Sequence, residues 1–245
     1  MMWEFSLACN NKNKFILDYI NKCFCNDLPD CMLTTYTDTH FTYLLFASDE
    51  SIKQICKSKI KKCIATYIVD VYKYEYFSNR VIGNNSNLVS QAYVKALTLY
   101  DVETDIALIN SSIDMGNQFY IDSFIKFKMA DLVRMWQELC DLITSNINYL
   151  NKDMMIDVMK SFISTFDTST NTIKIIIERD SFMLYKIDDN KAPIKLKDKA
   201  PAIDIVNYTM LANPKNIEIY GETGENFSMI SLLKSLYDDK VKVMK

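Results

Sequence analysis

Glycine and proline are scarce in this chain, four of each in 245 residues, and histidine occurs once. Each shortage removes a class of chemistry. Backbone cradles for phosphate need glycines, because amides must approach the ligand closely. Only Gly221 and Gly224 lie near one another, in YGETGEN, where Glu222 and Glu225 would repel a phosphate. A single histidine, His40, cannot build a multi-histidine metal centre. No run approaches the ~20 apolar residues of a membrane-spanning helix; the richest, Ile64 to Tyr72, is interrupted by Asp70. The opening MMWEFSLACN has no basic n-region and no apolar h-region of useful length, so no signal peptide is expected and the chain reads as cytoplasmic. A positive excess is missing as well. With 28 Lys and Arg against 31 Asp and Glu, the net charge is −3, and nucleic-acid binding would need a local basic patch.

Hydrophobic residues make up 49% and charged residues 24%, the composition of a folded chain. Seven cysteines (Cys9, Cys23, Cys25, Cys31, Cys56, Cys63 and Cys140) are odd in number and irregularly spaced, which argues against a disulfide framework. The cluster Cys23, Cys25, Cys31 lacks the paired knuckles of a zinc site.

Hydrophobic periodicity gives the element order. Residues 3–9 read as a strand and 14–24 as a short helix, followed by an exit loop at 26–30 with Pro29. Two strands at 31–37 and 41–47 are joined by a turn around Asp38 to His40. A long helix begins after Ser48 to Ser51, with apolar residues in steps of three and four to Val71, and continues, with a bend, to about Ile82. Gly83 to Asn87 breaks it; further helices are expected at 88–100, in part of 101–116, at 119–150 as one long helix, and at 153–166. From Thr168 the pattern changes. Strands at 171–179 and 182–187 form a hairpin, 188–200 reads as a polar loop, a helix runs from Pro201 to Ala212 and stops at Asn213-Pro214, and 217–220, 227–237 and 241–244 form a β-α-β unit. The fold class is therefore α+β, divided as an N-terminal β-α-β-β unit over 1–50, a helical region over 51–167 and a C-terminal α/β unit over 168–245.

Two cationic features invite partners. Lys53, Lys57 and Lys61 are spaced i, i+4, i+8 and form one ridge of a helix. Lys126, Lys128 and Arg134 lie in the long helix, where Asp122 stands four residues before Lys126, and Asp131 and Glu138 flank Arg134 at helical spacing. Both sets also read as solvated helix faces. His40 sits in a turn, where a solvated side chain is the ordinary state. Most of the 15 tyrosines and 13 phenylalanines fall on core periodicities, whereas base stacking would need them exposed.

The stretch FIKFKMADL at 124–132 resembles the F-x-R-F-R-L-x-x-Y core of the YtxC-like sporulation proteins of endospore-forming bacteria. KCIATYIVDVYKYEY at 62–76 looks like that family's amphipathic helix with its acidic–aromatic end; 171–188 is similar to its hairpin, and MLANPKNIEIYG at 210–221 to its L-x-P-x-x-I-x-I segment. The four segments keep their order across about residues 60 to 245. Lys126 and Lys128 stand where the family leans to Arg, and Leu132 where it often has Tyr; lysine lacks the planar fork with which arginine clamps an anion. The resemblance implies a role in sporulation and carries no catalytic residues. The expectation is a cofactor-free, non-enzymatic protein acting on a protein partner through Lys126, Lys128, Arg134 and the Lys53, Lys57, Lys61 ridge, with a nucleic-acid-binding regulator as the alternative.

Overall fold

The computed structural model describes residues 2–25, 31–82, 87–145, 151–178, 181–188, 192–221 and 227–244. The exit loop at 26–30, the break at 83–86, the end of the expected long helix at 146–150, the hairpin turn at 179–180, loop residues 189–191 and most of YGETGEN lie outside them.

The architecture is α+β, with two sheets in two compact units. The units do not follow sequence order. Residues 1–76 and 101–143 form one, 77–100 and 144–245 the other, so the helical region between the strand-rich ends is shared between both. No helix among the described residues is long and apolar enough to cross a membrane.

The first unit opens with β1 (Met2–Asn10), α1 (Lys14–Cys25), β2 (Met32–Thr37) and β3 (Phe41–Asp49), the expected β-α-β-β order. A 3-10 turn leads into α2 (Lys53–Tyr67), which widens into a π-helical segment at Ile68–Lys73 and returns to α-geometry in α3 (Tyr74–Phe77). The expected bend is thus a change of helical pitch. One face of the sheet carries Trp3, Phe5, Leu7 and Cys9 opposite Ser48, Phe46, Leu44 and Thr42, all buried. Helix α1 covers that face through Leu17, Ile20 and Phe24, with the Phe24 ring edge-on to Phe46 at 4.9 Å. Helix α2 packs on α1, where Phe15 and Tyr19 meet Tyr67.

In the second unit a π-helical segment, Ser78–Ile82, precedes α4 (Leu88–Leu99), which is capped by Asn87 with reciprocal bonds to Ser90. The chain returns to the first unit in α5 (Val102–Ser112) and β4 (Gln118–Tyr120). A single helix over 119–150 is not what forms. Gln118–Tyr120 pairs in parallel with Ser6–Ala8, α6 (Ile121–Lys128) follows, and Met129 interrupts it before α7 (Ala130–Ser145). Burial explains the interruption. Phe124, Met129, Leu132, Trp136 and Cys140 are all buried. Five residues separate Phe124 from Met129, a rotation of about 140° on an ideal helix. A straight helix would bury Lys128 instead.

The remainder of the second unit is α8 (Lys152–Ile163), β5 (Ser169–Glu178), β6 (Ser181–Ile187), β7 (Ile194–Ala200), α9 (Ala202–Ala212), β8 (Pro214–Tyr220), α10 (Phe227–Tyr237) and β9 (Val241–Met244). Strand order is β7-β6-β5-β8-β9, and β8 and β9 pair in parallel around α10, as a β-α-β unit requires. The helix stop at Asn213 is built from its left-handed backbone (φ 35°), while its side-chain Nδ2 donates to the Phe166 carbonyl at 2.8 Å. The polar stretch before Pro201 is not all loop: IKLKDKA forms β7 on the sheet's edge. Its lysines read as loop because an edge strand with a solvated face has no apolar face to reveal.

Candidate functional site

The lysine ridge forms as a ridge, but its cations have intramolecular partners. Lys53 Nζ is 2.6 Å from Glu50 Oε1, Lys57 Nζ donates to the Met115 carbonyl at 3.1 Å, and Lys61 Nζ to the Ile113 carbonyl at 2.7 Å. The physical reason is the end of α5. Carbonyls at and beyond a helix C-terminus lack intrahelical donors, and the dipole there favours a cation. Two lysines on α2 supply both, and so fasten the segment that leads into β4.

Lys126, Lys128 and Arg134 are dispersed. Asp122 does not pair with Lys126. Its carboxylate accepts from the Asn10 backbone N–H at 2.6 Å and from Asn13 Nδ2 at 2.5 Å, tying the start of α6 to the β1–α1 junction. Lys126 Nζ lies 5.1 Å from the Phe127 ring centroid and lines a cleft of about 360 Å³ with Asn13, Tyr67, Tyr72, Glu75 and Asp122. The two stretches at 62–76 and 124–132 thus meet at one cleft. Lys128 is exposed on α6. Arg134, across the break on α7, makes the expected contacts with Asp131 (3.1 Å) and Glu138 (4.0 Å), on a side chain 68% exposed. Solvated pairs of that kind contribute little.

Burial pushes the Cys9 thiol up to about 12 and the Cys63 thiol to about 11, which removes the thiolate needed for nucleophilic or redox chemistry. Cys23 is half-buried on α1, and the Cys25 side chain lies outside the described residues. Among the described residues no group of three or more His, Cys, Asp or Glu is placed to hold a metal ion. His40 is exposed in its turn, and its backbone N–H donates to Asp38 Oδ1 at 2.7 Å.

The feature that periodicity did not single out is the other face of the N-terminal sheet. The order β2-β3-β1-β4, with the register of the strands, lines up Met32, Thr34 and Tyr36 beside Ala47, Leu45 and Tyr43, then Glu4, Ser6 and Ala8, then Gln118 and Tyr120. Met2, Met32, Tyr36 and Tyr120 are 57%, 61%, 47% and 37% exposed, far from a core state. At one end the rings form a row: Tyr36 stacks on Tyr43 at 4.5 Å with planes 6° apart, and Tyr120 meets Phe41 edge-on at 5.4 Å. At the other end Met2, Glu4, Met32, Leu45, Ala47 and Glu50 line a shallow hollow of about 620 Å³. The four strands contain Glu4 and Asp49 and no Lys or Arg. The sequence signal was present in MLTTYT, a strand-forming run with no charge and no strict alternation of apolar and polar residues. No protein-family model, no curated protein and no solved structure matches this chain.

Proposed function

We propose that this chain is a non-enzymatic docking protein that engages a partner protein through the face of its N-terminal sheet opposite α1. The observation that supports this reading most is that face itself: methionine and tyrosine side chains exposed together on four strands that bear two carboxylates and no cation. Contiguous apolar exposure on a folded chain marks an interaction surface, and aromatic and methionine side chains are enriched in the cores of such interfaces. The process we assign is sporulation, in the cytoplasm, on the strength of the YtxC-like segments at 62–76, 124–132, 171–188 and 210–221. This reading moves the docking surface away from Lys126, Lys128, Arg134 and the Lys53, Lys57, Lys61 ridge.

The nucleic-acid reading has less support. Phosphate contacts provide most of non-specific affinity, and the exposed rings lie on a surface whose formal charge is negative. The test is site-specific photocrosslinking in sporulating cells, with the reactive side chain at Tyr36 and, as control, at Lys128. Capture of one discrete protein from position 36 alone is the expected result. Crosslinks to nucleic acid, equal capture from both positions, or turnover of a substrate by the purified chain would refute it.

A further inference from the structure

We infer that β2 is a strand-addition site, and that its occupant is an extended segment of a partner protein, apolar at alternate positions and flanked by basic side chains. This rests on the docking reading above and goes beyond it by naming the edge, the backbone geometry and the chemistry of the partner.

The comparison of edges within this chain carries the inference. An exposed edge presents a row of unpaired N–H and C=O groups, and folded proteins blunt such rows with charge, irregularity or shortness. The second sheet does all three. Its edge strand β7 bears Lys195, Lys197, Asp198 and Lys199, pairs with β6 through two register shifts, and has a left-handed residue at Lys199 (φ 52°). Its opposite edge, β9, is four residues long and carries Lys242. In the first sheet, β4 is three residues long. Strand β2 has none of these devices. It runs six residues, contains no charge and no proline, and pairs with β3 in unbroken register from Met32 opposite Ala47 to Thr37 opposite Thr42. Among the described residues no strand pairs with its other side.

The composition of the site selects the occupant. An added strand of six residues spans about 20 Å and sets its alternate side chains beside Met32, Thr34 and Tyr36 on the open face. Those neighbours favour apolar side chains, through thioether–aromatic and cross-strand contacts. Charge at the ends is negative. Asp38 follows β2, and its carboxyl is held below the usual carboxylate range by the Phe41 and His40 backbone N–H groups. Asp49 closes β3 past the Met32 end, where Lys53 already neutralises Glu50. A basic side chain at either end of the added segment therefore finds a carboxylate. A second copy of this chain brings an uncharged β2 with acidic ends against acidic ends, which disfavours self-pairing.

The experiment is selection of displayed random ten-residue peptides on the full chain, followed by binding measurements on the winner synthesised with N-methyl groups. Convergence on alternating apolar residues with terminal Lys or Arg is expected. Methylating one set of alternate peptide amides should weaken binding about ten-fold or more, as loss of ladder hydrogen bonds requires, while methylating the other set changes it less than about two-fold. No convergence, convergence on acidic peptides, or a response indifferent to which set is methylated would overturn strand addition. If photocrosslinking from position 36 still captures one protein in those cases, face docking stands and only strand addition falls. A dimer in sedimentation that Tyr36→Lys dissociates would overturn the basic partner segment as occupant, a second copy taking its place.

Discussion

Replacing Asp105 by alanine removes one partner of a buried ion pair. Lys73 Nζ and Asp105 Oδ2 are 2.5 Å apart, with side chains 2% and 5% exposed. Asp105 Oδ1 also accepts from Trp136 Nε1 at 3.4 Å, and the ammonium lies 5.7 Å from the Trp136 ring. The pair closes the π-helical segment against the first turn of α5, where the helix dipole favours a carboxylate. At an effective dielectric near 20 the attraction at this distance is about 7 kcal/mol, set against desolvation of several kcal/mol per ion. The net worth of the pair is thus small, while loss of Asp105 takes a bonded carboxylate from a buried ammonium. Asp105→Ala should cost about 3–5 kcal/mol, and Lys73→Met with Asp105→Leu should recover most of it. Urea unfolding followed by tryptophan fluorescence measures both. The pH profile adds a sign. Burial lowers the Lys73 pKa from its ordinary 10.5, and Asp105 opposes that shift. Between the lowered native value and 10.5 the unfolded chain binds more protons at this residue than the native one, so this residue's contribution to stability rises with pH. Removing the opposing carboxylate with Asp105→Asn should widen that window downward. Single substitutions costing under about 1 kcal/mol each, or a double variant costing their sum, would refute the coupling.

Three further outcomes follow from local geometry. Lys61→Ala should destabilise by about 1 kcal/mol through the Ile113 carbonyl it leaves without a donor, seen as a lower urea midpoint, and should leave partner capture from position 36 unchanged. Gly221 has φ +111°, and a Cβ there would stand 2.8 Å from the Ile177 carbonyl oxygen; Gly221→Ala should cost about 1–3 kcal/mol in thermal unfolding. The Asp38 carboxyl should titrate below 3.8 by NMR, because the Phe41 and His40 N–H groups and the Tyr43 hydroxyl bind its charged form. Its contribution to stability is present above the unfolded value and is lost as pH falls through the native one. Asp38→Asn should flatten that limb.

Elements whose burial follows one period were legible from residue order. The helix Phe227–Tyr237, the strand Val241–Met244 and the stop at Asn213-Pro214 stand where the apolar spacing and the turn residues put them. The N-terminal β-α-β-β order was equally readable. Misreadings arose where a tertiary contact outweighed the local pattern. Phe119 has a helical neighbourhood in sequence, but β1 offers Leu7 as a ladder partner, and the segment joins the sheet. Lys128, four residues after Phe124, was the sign of a broken stripe, masked by otherwise strong helix formers. IKLKDKA looked like loop because an edge strand resembles one in composition.

The sequence by itself determined the α+β class, most element positions and the absence of long apolar runs, since each depends on neighbours within a few residues. Only the tertiary structure decided which lysines meet carbonyls, which face of the first sheet α1 covers, and which edge is left without charge. Periodicity reports the apolar side of an element. Whether another element covers that side is settled by contacts between residues far apart in the chain, such as Lys61 with Ile113 and Asn10 with Asp122.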